Sequence, residues 1–297
     1  MKKIERACQL INQQLAYFCC PICHTPMRCA DHSMICQNRH CYDIAKSGYL
    51  NLLPQANQSV YSKELFLARK EVIGSGLFNP LLQRLNEIIQ QLPQIAEPEM
   101  GLEQPSTIIK ILDAGCGEGS MLDSIMTLLK DQGFYQGIGI DISKDSIKMA
   151  AESENDIIWC VSDLANLPFT NTTFNIVLNI LSPANYLEFK RIIQKPGYII
   201  KVVPEANYLK EIRQLVKQEG MPKVYSNQAV LKLFKEQLNL IWEEELQYTF
   251  LPDRDLWQKI IQMTPLTLGI DKAILHELIM PEETELTIAL RILVGTN

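Results

Sequence analysis

The amino-acid sequence predicts an α/β protein in which a doubly wound, Rossmann-like sheet of seven strands follows a small metal-binding module. Two observations lead to this prediction. Between residues 108 and 204, five apolar runs of strand length alternate with helical or turn-forming segments, as in a mainly parallel sheet. Seven of the nine cysteines lie before residue 42, and such clusters are more often metal ligands than disulfides in a chain without a secretion signal.

The chain is predicted to begin with an amphipathic helix, because apolar residues recur at helical spacing over residues 4–18. Cys20 and Cys23 follow, separated by two residues, and Cys36 and His40 come next. This spacing predicts one tetrahedral, structural Zn²⁺ per chain. Five nearby residues are alternative ligands: Cys19, His24, Cys29, His32 and Cys41. Cysteines that bind no metal are the other interpretation.

Two helices are predicted to connect the metal-binding segment to the sheet, one from residue 63 to residue 74 or 76 and one over 79–92. Arg69 and Lys70, with Tyr49 before them, could contact phosphates and stack on an unpaired base. The alternative for Tyr49 is packing between modules. The predicted organisation has four parts: a helical extension over 1–18, a zinc-binding RNA-recognition module over 19–60, a helical connector over 61–105 and a cofactor-binding domain over 106–297.

A glycine-rich turn follows the first predicted strand of the sheet, in the segment IIKILDAGCGEG. Gly115, Gly117 and Gly119 allow the backbone to turn tightly and to lie against a ligand. The next residues are apolar at helical spacing, so the unit is a strand, a glycine turn and a helix. This is the first half of a nucleotide-binding βαβ unit.

Acidic residues at the strand ends indicate which nucleotide binds. Asp141 ends the second strand, where a carboxylate accepts hydrogen bonds from ribose hydroxyls. Asp113 opens the glycine motif, where it would repel a diphosphate but suits an ammonium group, so S-adenosylmethionine is favoured over NAD. Asp163 and Leu164 follow the third strand and suit the adenine amine and ring. NAD binding or a non-catalytic nucleotide fold is the alternative.

The fourth predicted strand ends in NILSPAN, without the Asn/Asp-Pro-Pro-aromatic motif of enzymes that methylate exocyclic amines. Asn179, Ser182 and Pro183 could shape a base pocket, or they could be an ordinary strand end. A fifth strand follows, and two late strands around a helix complete the seven-stranded mixed sheet. The sequence identifies no catalytic base.

The charge distribution is uneven along the chain. Residues 1–70 contain nine Lys and Arg against four Asp and Glu, whereas the remainder contains 19 against 30. A basic N-terminal segment followed by an acidic remainder suggests an anionic partner such as nucleic acid, although solvated surface charges would give the same pattern. Without an apolar signal segment or a run long enough to span a bilayer, a soluble, cytoplasmic protein with no membrane partner is expected.

The motifs resemble those of class I methyltransferases, and from CPIC onward the chain resembles the RlmA family of 23S rRNA guanine-N1 methyltransferases. CPIC, CQNRH, YDIAKSGYLNLLP, ARKEVIGSGLF, LDAGCGEG and MTPLT carry the resemblance in order. It implies S-adenosylmethionine-dependent methylation of guanine N1 in a hairpin loop of 23S ribosomal RNA, with zinc on Cys20, Cys23, Cys36 and His40. It also implies cofactor contacts from Phe78, Gly117, Glu118 and Tyr208.

The same resemblance implies a homodimer, and ILSPANY is similar to the branch associated with macrolide resistance. Two other functions remain at this point. A small-molecule methyltransferase would share the fold without needing the basic, cysteine-rich front. A zinc-bearing RNA-binding protein without turnover would not need Asp113 and Asp141.

Overall fold

The fold is an eight-stranded mixed sheet with helices on both faces and a small three-stranded sheet at one side. The computed structural model describes residues 1–54, 61–92, 108–218, 225–267 and 284–297. Its strands are β1 Met27–Ala30, β2 Ser33–Cys36, β3 Cys41–Asp43, β4 Tyr49–Asn51, β5 Ile109–Ala114, β6 Tyr135–Asp141, β7 Ile157–Val161, β8 Phe174–Ile180, β9 Ile193–Pro204, β10 Asn239–Phe250 and β11 Leu286–Thr296.

The strand order in the large sheet is β10-β11-β9-β8-β5-β6-β7-β4. Strands β4 to β9 pair in parallel with their neighbours, and β11 and β10 add an antiparallel hairpin beyond β9. Because these strands are parallel, their carboxyl ends lie at the same edge of the sheet. The strand order reverses between β5 and β8, and ligands of doubly wound folds bind at the carboxyl ends next to such a reversal.

All seven predicted strands are present as β5 to β11, and β4 adds an eighth strand at the β7 edge. Tyr49 lies opposite Trp159, and the short strand covers an edge that would otherwise expose unpaired backbone groups. Three residues are too short a run to be recognised as a strand by periodicity. Tyr49 is buried, so the packing alternative is confirmed for this residue and base stacking is excluded.

Nine helices surround the sheet within the described ranges: α1 Lys3–Gln13, α2 Lys63–Gly74, α3 Asn79–Gln91, α4 Ser120–Leu129, α5 Lys144–Ala150, α6 Tyr186–Ile192, α7 Lys210–Gln218, α8 Gln228–Gln237 and α9 Arg254–Met263. Successive strand residues face opposite sides, so Ile111 and Leu112 enter different cores. One core is closed by α2, α3, α4, α5, α7 and α9. The other is closed by α1, α6, α8 and the small sheet.

The small sheet and α1 are attached to the large domain by direct contacts. Strands β1, β2 and β3 form an antiparallel meander. Phe18, just before it, packs on Phe169 with ring centroids 5.4 Å apart. Arg6 of α1 donates a 2.8 Å hydrogen bond to Asp156, and the Cys19 amide donates to the Pro168 carbonyl at 3.0 Å. The initial helix is therefore a packing element between the two parts.

None of the helices in the described part of the chain combines the length and the apolar character that crossing a bilayer requires.

Candidate active site and metal centre

The glycine turn after β5 has a backbone that requires glycine at three positions. Gly115, Gly117 and Gly119 have φ values of 86°, 59° and 87°, in the region that residues with a side chain rarely adopt. A Cβ atom on Gly115 would lie 1.9 Å from the Ser182 hydroxyl oxygen, and one on Gly119 would lie 2.7 Å from the Ala150 Cβ. The turn is therefore held in close contact with the loop after β8 and with the end of α5.

Asp141 supports the glycine turn from the end of β6. One carboxylate oxygen accepts a 2.9 Å hydrogen bond from the Gly117 amide, and the other accepts a 2.8 Å bond from the Ser143 amide. Burial raises the pKa of Asp141, and these hydrogen bonds oppose the rise. Each carboxylate oxygen can accept a second hydrogen bond, as the hydroxyls of a ribose would require.

Asp113 lies at the centre of the site and is 1% exposed. Its Oδ1 atom accepts no hydrogen bond from the residues that the structure describes. Burial raises the pKa of Asp113 to about 7, with Arg69 acting in the opposite direction. A buried carboxylate without a partner is unfavourable by itself, so this oxygen suits a cationic ligand group.

Glu118 is also buried, and it faces Arg69 of α2. Its Oε2 atom accepts a hydrogen bond from the Ser120 amide at 2.9 Å, while its Oε1 atom lies 3.7 Å from the Arg69 Nε atom. The Arg69 guanidinium carbon also lies 3.8 Å from an ideal Cβ on Gly117. The structure therefore places Arg69 over the glycine turn, whereas Lys70 forms an exposed ion pair with Glu152.

Asp163 and Leu164 follow β7 at the same edge of the sheet. The Asp163 Oδ1 atom accepts a 2.9 Å hydrogen bond from the Ala165 amide, which holds the carboxylate in a turn. A methyl carbon of Leu164 lies 3.9 Å from an ideal Cβ on Gly115. Both predicted adenine contacts thus lie at the strand-end edge, and Leu164 is next to the glycine turn.

A cavity of about 360 Å³, here called the strand-end cavity, lies beyond the ends of β8 and β9. Phe78 and Tyr208, two of the four cofactor contacts implied by resemblance, both line it. The MTPLT segment contributes Met263, Thr264, Pro265 and Leu266. The other lining residues of the cavity are Arg69, Leu181, Ser182, Pro183, Lys201, Val202, Val203, Pro204, Arg213, Tyr225 and Val230. Ser182 also contacts the glycine turn, so the cavity adjoins the predicted cofactor site.

Asn179 connects the strand-end cavity to β5. Its side-chain amide donates to the Ala114 carbonyl at 2.8 Å and to the Pro183 carbonyl at 2.9 Å, and its Oδ1 atom accepts from Lys201 at 2.5 Å. Reasoning from sequence missed Lys201. The available signal was a lysine inside the apolar strand segment YIIKVV, at a position that a core residue would normally occupy.

The structure brings together the four residues that spacing predicted as zinc ligands. The ligand atoms of Cys20, Cys23, Cys36 and His40 lie within 4.8 Å of one another, and the described residues contain no second group of this kind. The Cys23 and Cys36 sulfurs are 3.7 Å apart, and the His40 Nδ1 atom is 3.4 Å from the sulfurs of Cys20 and Cys36. Tetrahedral zinc requires about 3.8 Å between sulfurs and about 3.5 Å between sulfur and nitrogen. The donor set therefore fits Zn²⁺.

Two family profiles match the chain. One described as "RlmA, N-terminal" matches residues 18–60, and one described as "Methyltransferase domain" matches residues 111–196. A candidate 23S rRNA (guanine-N(1)-)-methyltransferase of Bacillus subtilis (strain 168), YxjB, is 35% identical over 281 residues, which are 94% of this chain and 96% of YxjB. The chain belongs to the RlmA family.

A second relative is the 23S rRNA (guanine(748)-N(1))-methyltransferase of Streptomyces fradiae, which is 26% identical over 84% of this chain and 85% of its own length. Membership of the RlmA family confirms the resemblance found from the sequence motifs. It also confirms the class I methyltransferase fold with an N-terminal zinc module. The roles of individual site residues stay predictions, as does the division of the chain into four parts.

Cys23→Ser is expected to reduce the zinc content and the melting temperature. The small zinc-binding module over residues 18–60, here called the zinc ribbon, depends on its metal for most of its folding free energy. Zinc is measured by mass spectrometry of the purified protein. Cys41→Ser is the matched control, since Cys41 is exposed and lies outside the ligand group. Full zinc content in Cys23→Ser would contradict the ligand assignment.

Asp113→Asn is expected to stabilise the cofactor-free protein more at pH 8 than at pH 5. The folded pKa of about 7 lies above the unfolded value, so the stabilising effect of this carboxyl is complete below about pH 4 and is lost as pH rises through about 7. The difference is on the order of a few kcal/mol. Calorimetric melting at both pH values measures it, with exposed Asp145→Asn as control; equal shifts at both pH values would refute the interpretation.

Proposed function

We propose that this chain transfers a methyl group from S-adenosylmethionine to N1 of a guanine in a hairpin loop of 23S ribosomal RNA. The observation that carries the proposal is the match to YxjB over nearly the whole of both chains, which includes the zinc ribbon and the methyltransferase domain. The described site is consistent with it, because the glycine turn and the three predicted acidic residues, Asp113, Asp141 and Asp163, lie at one edge of the sheet.

The residues at the strand ends fit the proposed methyl donor. The unpartnered oxygen of Asp113 would accept from the donor's ammonium group, and Asp141 would accept from the ribose hydroxyls. Asp163 and Leu164 would contact the adenine. The three glycines leave room for the ligand against the backbone, and Glu118, Phe78 and Tyr208 complete the proposed contacts. When bound, S-adenosylmethionine supplies an electrophilic methyl carbon.

The strand-end cavity is the proposed acceptor pocket. Its volume of about 360 Å³ is in the range of small-molecule sites, so it can hold a single base but not a base pair. A guanine in an RNA loop can leave its stack to enter such a pocket, which costs less for an unpaired base. Tyr225 provides an aromatic surface in the lining, which suits a planar base.

The zinc ribbon is proposed to contact the RNA backbone. Arg28, Arg39 and Lys46 are exposed on or beside β1, β2 and β3. Their positive charges can pair with phosphates and release counterions, so binding would weaken with salt. Because rRNA is the proposed substrate, the protein is expected to act in the cytoplasm. Homodimer formation and a contribution to macrolide resistance also stay predictions.

The central experiment incubates the zinc-loaded protein with radiolabelled S-adenosylmethionine and unmodified 23S rRNA, followed by nucleoside mapping. Label is expected in 1-methylguanosine at one loop position, because the proposed acceptor is guanine N1. Label in a metabolite extract and none in RNA would overturn the proposal in favour of a small-molecule methyltransferase. Cofactor binding without transfer to any acceptor would favour a non-catalytic RNA-binding protein.

Asp141→Ala is expected to raise the dissociation constant for S-adenosylmethionine about tenfold or more, because it removes charged acceptors for the ribose and for the Gly117 amide. Titration calorimetry measures the affinity. Asp145→Ala is the control, since Asp145 is exposed on α5 near the same strand end. An unchanged dissociation constant in Asp141→Ala would contradict the ribose assignment.

A further inference from the structure

Lys201 is a basic side chain buried inside the sheet domain. It lies on β9 opposite Asn179 of β8 and Leu293 of β11, and only 3% of it is exposed. Its Nζ atom donates to the Asn179 Oδ1 atom at 2.5 Å and to the Ser182 carbonyl at 2.8 Å. Lys201 also lines the strand-end cavity. The amine is therefore held at the wall of the proposed acceptor pocket.

The surroundings of Lys201 favour the neutral amine. None of the described carboxylates forms an ion pair with it, and both of its hydrogen-bond acceptors are uncharged oxygens. A buried ammonium without a countercharge is strongly unfavourable. Burial accordingly lowers the pKa of Lys201 to about 8. A neutral amine whose two N–H groups donate to Asn179 and Ser182 keeps a lone pair for a third partner.

The position of Lys201 is also close to the place where the methyl group would be delivered. Asn179, which accepts from Lys201, donates to the carbonyl of Ala114, the last residue of β5. Ser182, the other acceptor, contacts Gly115 of the glycine turn. One side chain thus separates the Lys201 amine from the turn that would hold the methyl donor. A base in the strand-end cavity would meet both.

We propose that Lys201 is the general base that removes the N1 proton of the acceptor guanine. This inference rests on the proposed function and adds the catalytic group that the sequence did not identify. The N1–H bond breaks and its proton binds the Lys201 lone pair. N1 then forms a bond to the methyl carbon as the carbon–sulfur bond breaks, with the electron pair left on sulfur. The lysine ammonium afterwards releases the proton to solvent.

The chemistry requires such a group, because guanine N1 carries a proton at neutral pH and has no free lone pair in the ring plane for attack. A general base acts best when its pKa lies near the working pH. The other charged or titratable residues that line the cavity are Arg69 of α2, Tyr208 and Tyr225 of the loops, and Arg213 of α7. Burial raises the pKa of Tyr208 to about 12, and it raises the pKa of Tyr225 as well.

Asp113, on β5 beyond Asn179, is the nearby acid that also titrates near neutral pH. Its proposed partner is the methyl donor, so its ionisation would change donor affinity. Single-turnover rates at saturating donor and RNA remove that contribution and leave the ionisation of Lys201 visible. The two groups can therefore be distinguished in one pH series.

The test compares Lys201→Arg and Lys201→Met with the wild-type protein from about pH 6 to about pH 10. Arginine keeps the donors but cannot give up its proton, and methionine keeps the length without donors. Both variants are expected to lose about 10²–10⁴-fold in rate at pH 7 while keeping their donor affinity by calorimetry. Their residual rates should rise about tenfold per pH unit as guanine N1 ionises in solution. Lys148→Met, on the exposed face of α5, is the control.

The proposal would be overturned if Lys201→Arg transferred the methyl group about as fast as the wild-type protein. It would also be overturned if both variants were slower but kept the pH profile of the wild-type protein. The proposal can be tested even if a variant fails to fold, because the wild-type rate must itself rise with an ionisation near pH 8. A wild-type rate without this ionisation would also overturn the proposal. A wild-type protein that labels no rRNA at all refutes the proposed function. Normal rRNA labelling with normal activity of Lys201→Arg refutes only the role of Lys201.

Discussion

The structure depends on the close approach of the glycine turn to the loop after β8. At the switch between β5 and β8, Gly115 contacts Ser182, while Asn179 joins the Ala114 carbonyl to the Pro183 carbonyl. A side chain on Gly115 would force these strand ends apart. The same contact separates the proposed donor site on one side from the strand-end cavity on the other. In the proposed function, this contact would help to align donor and acceptor, as methyl transfer requires.

Three buried ionisable residues lie near that contact, and none of them forms a close ion pair with a described residue. Asp113 has an oxygen without a hydrogen bond, Glu118 faces Arg69 at a distance longer than a hydrogen bond, and Lys201 has two neutral acceptors. Such groups are expected to destabilise a cofactor-free fold. The proposed ligands would complete two of them, with an ammonium group at Asp113 and an acidic ring proton at Lys201. In the proposed function, these groups would be positioned before the ligands bind.

The zinc ribbon and the catalytic sheet are parts of one packed unit. Strand β4, which lies within the zinc ribbon over residues 18–60, extends the large sheet. Phe18 and Cys19 contact the segment after β7. The ribbon also takes part in the hydrophobic core that includes Leu112 and Ile140. Loss of zinc would thus remove packing from the sheet edge as well as disordering the proposed RNA-binding surface. The zinc ribbon and the sheet that carries the proposed donor site are therefore joined by packing contacts.

The sequence by itself determined the features that depend on local spacing. The Cys20, Cys23, Cys36 and His40 group, the glycine turn and the strand-end acids are short motifs, and their geometry follows from neighbours in the chain. Tertiary structure alone decided which distant segments meet. A three-residue strand pairs with β7, and its Tyr49 is buried. Arg69 lies over Gly117, and Lys201 of β9 donates a hydrogen bond to Asn179 of β8. Those contacts depend on the packing of segments far apart in sequence, which periodicity and motif spacing do not specify.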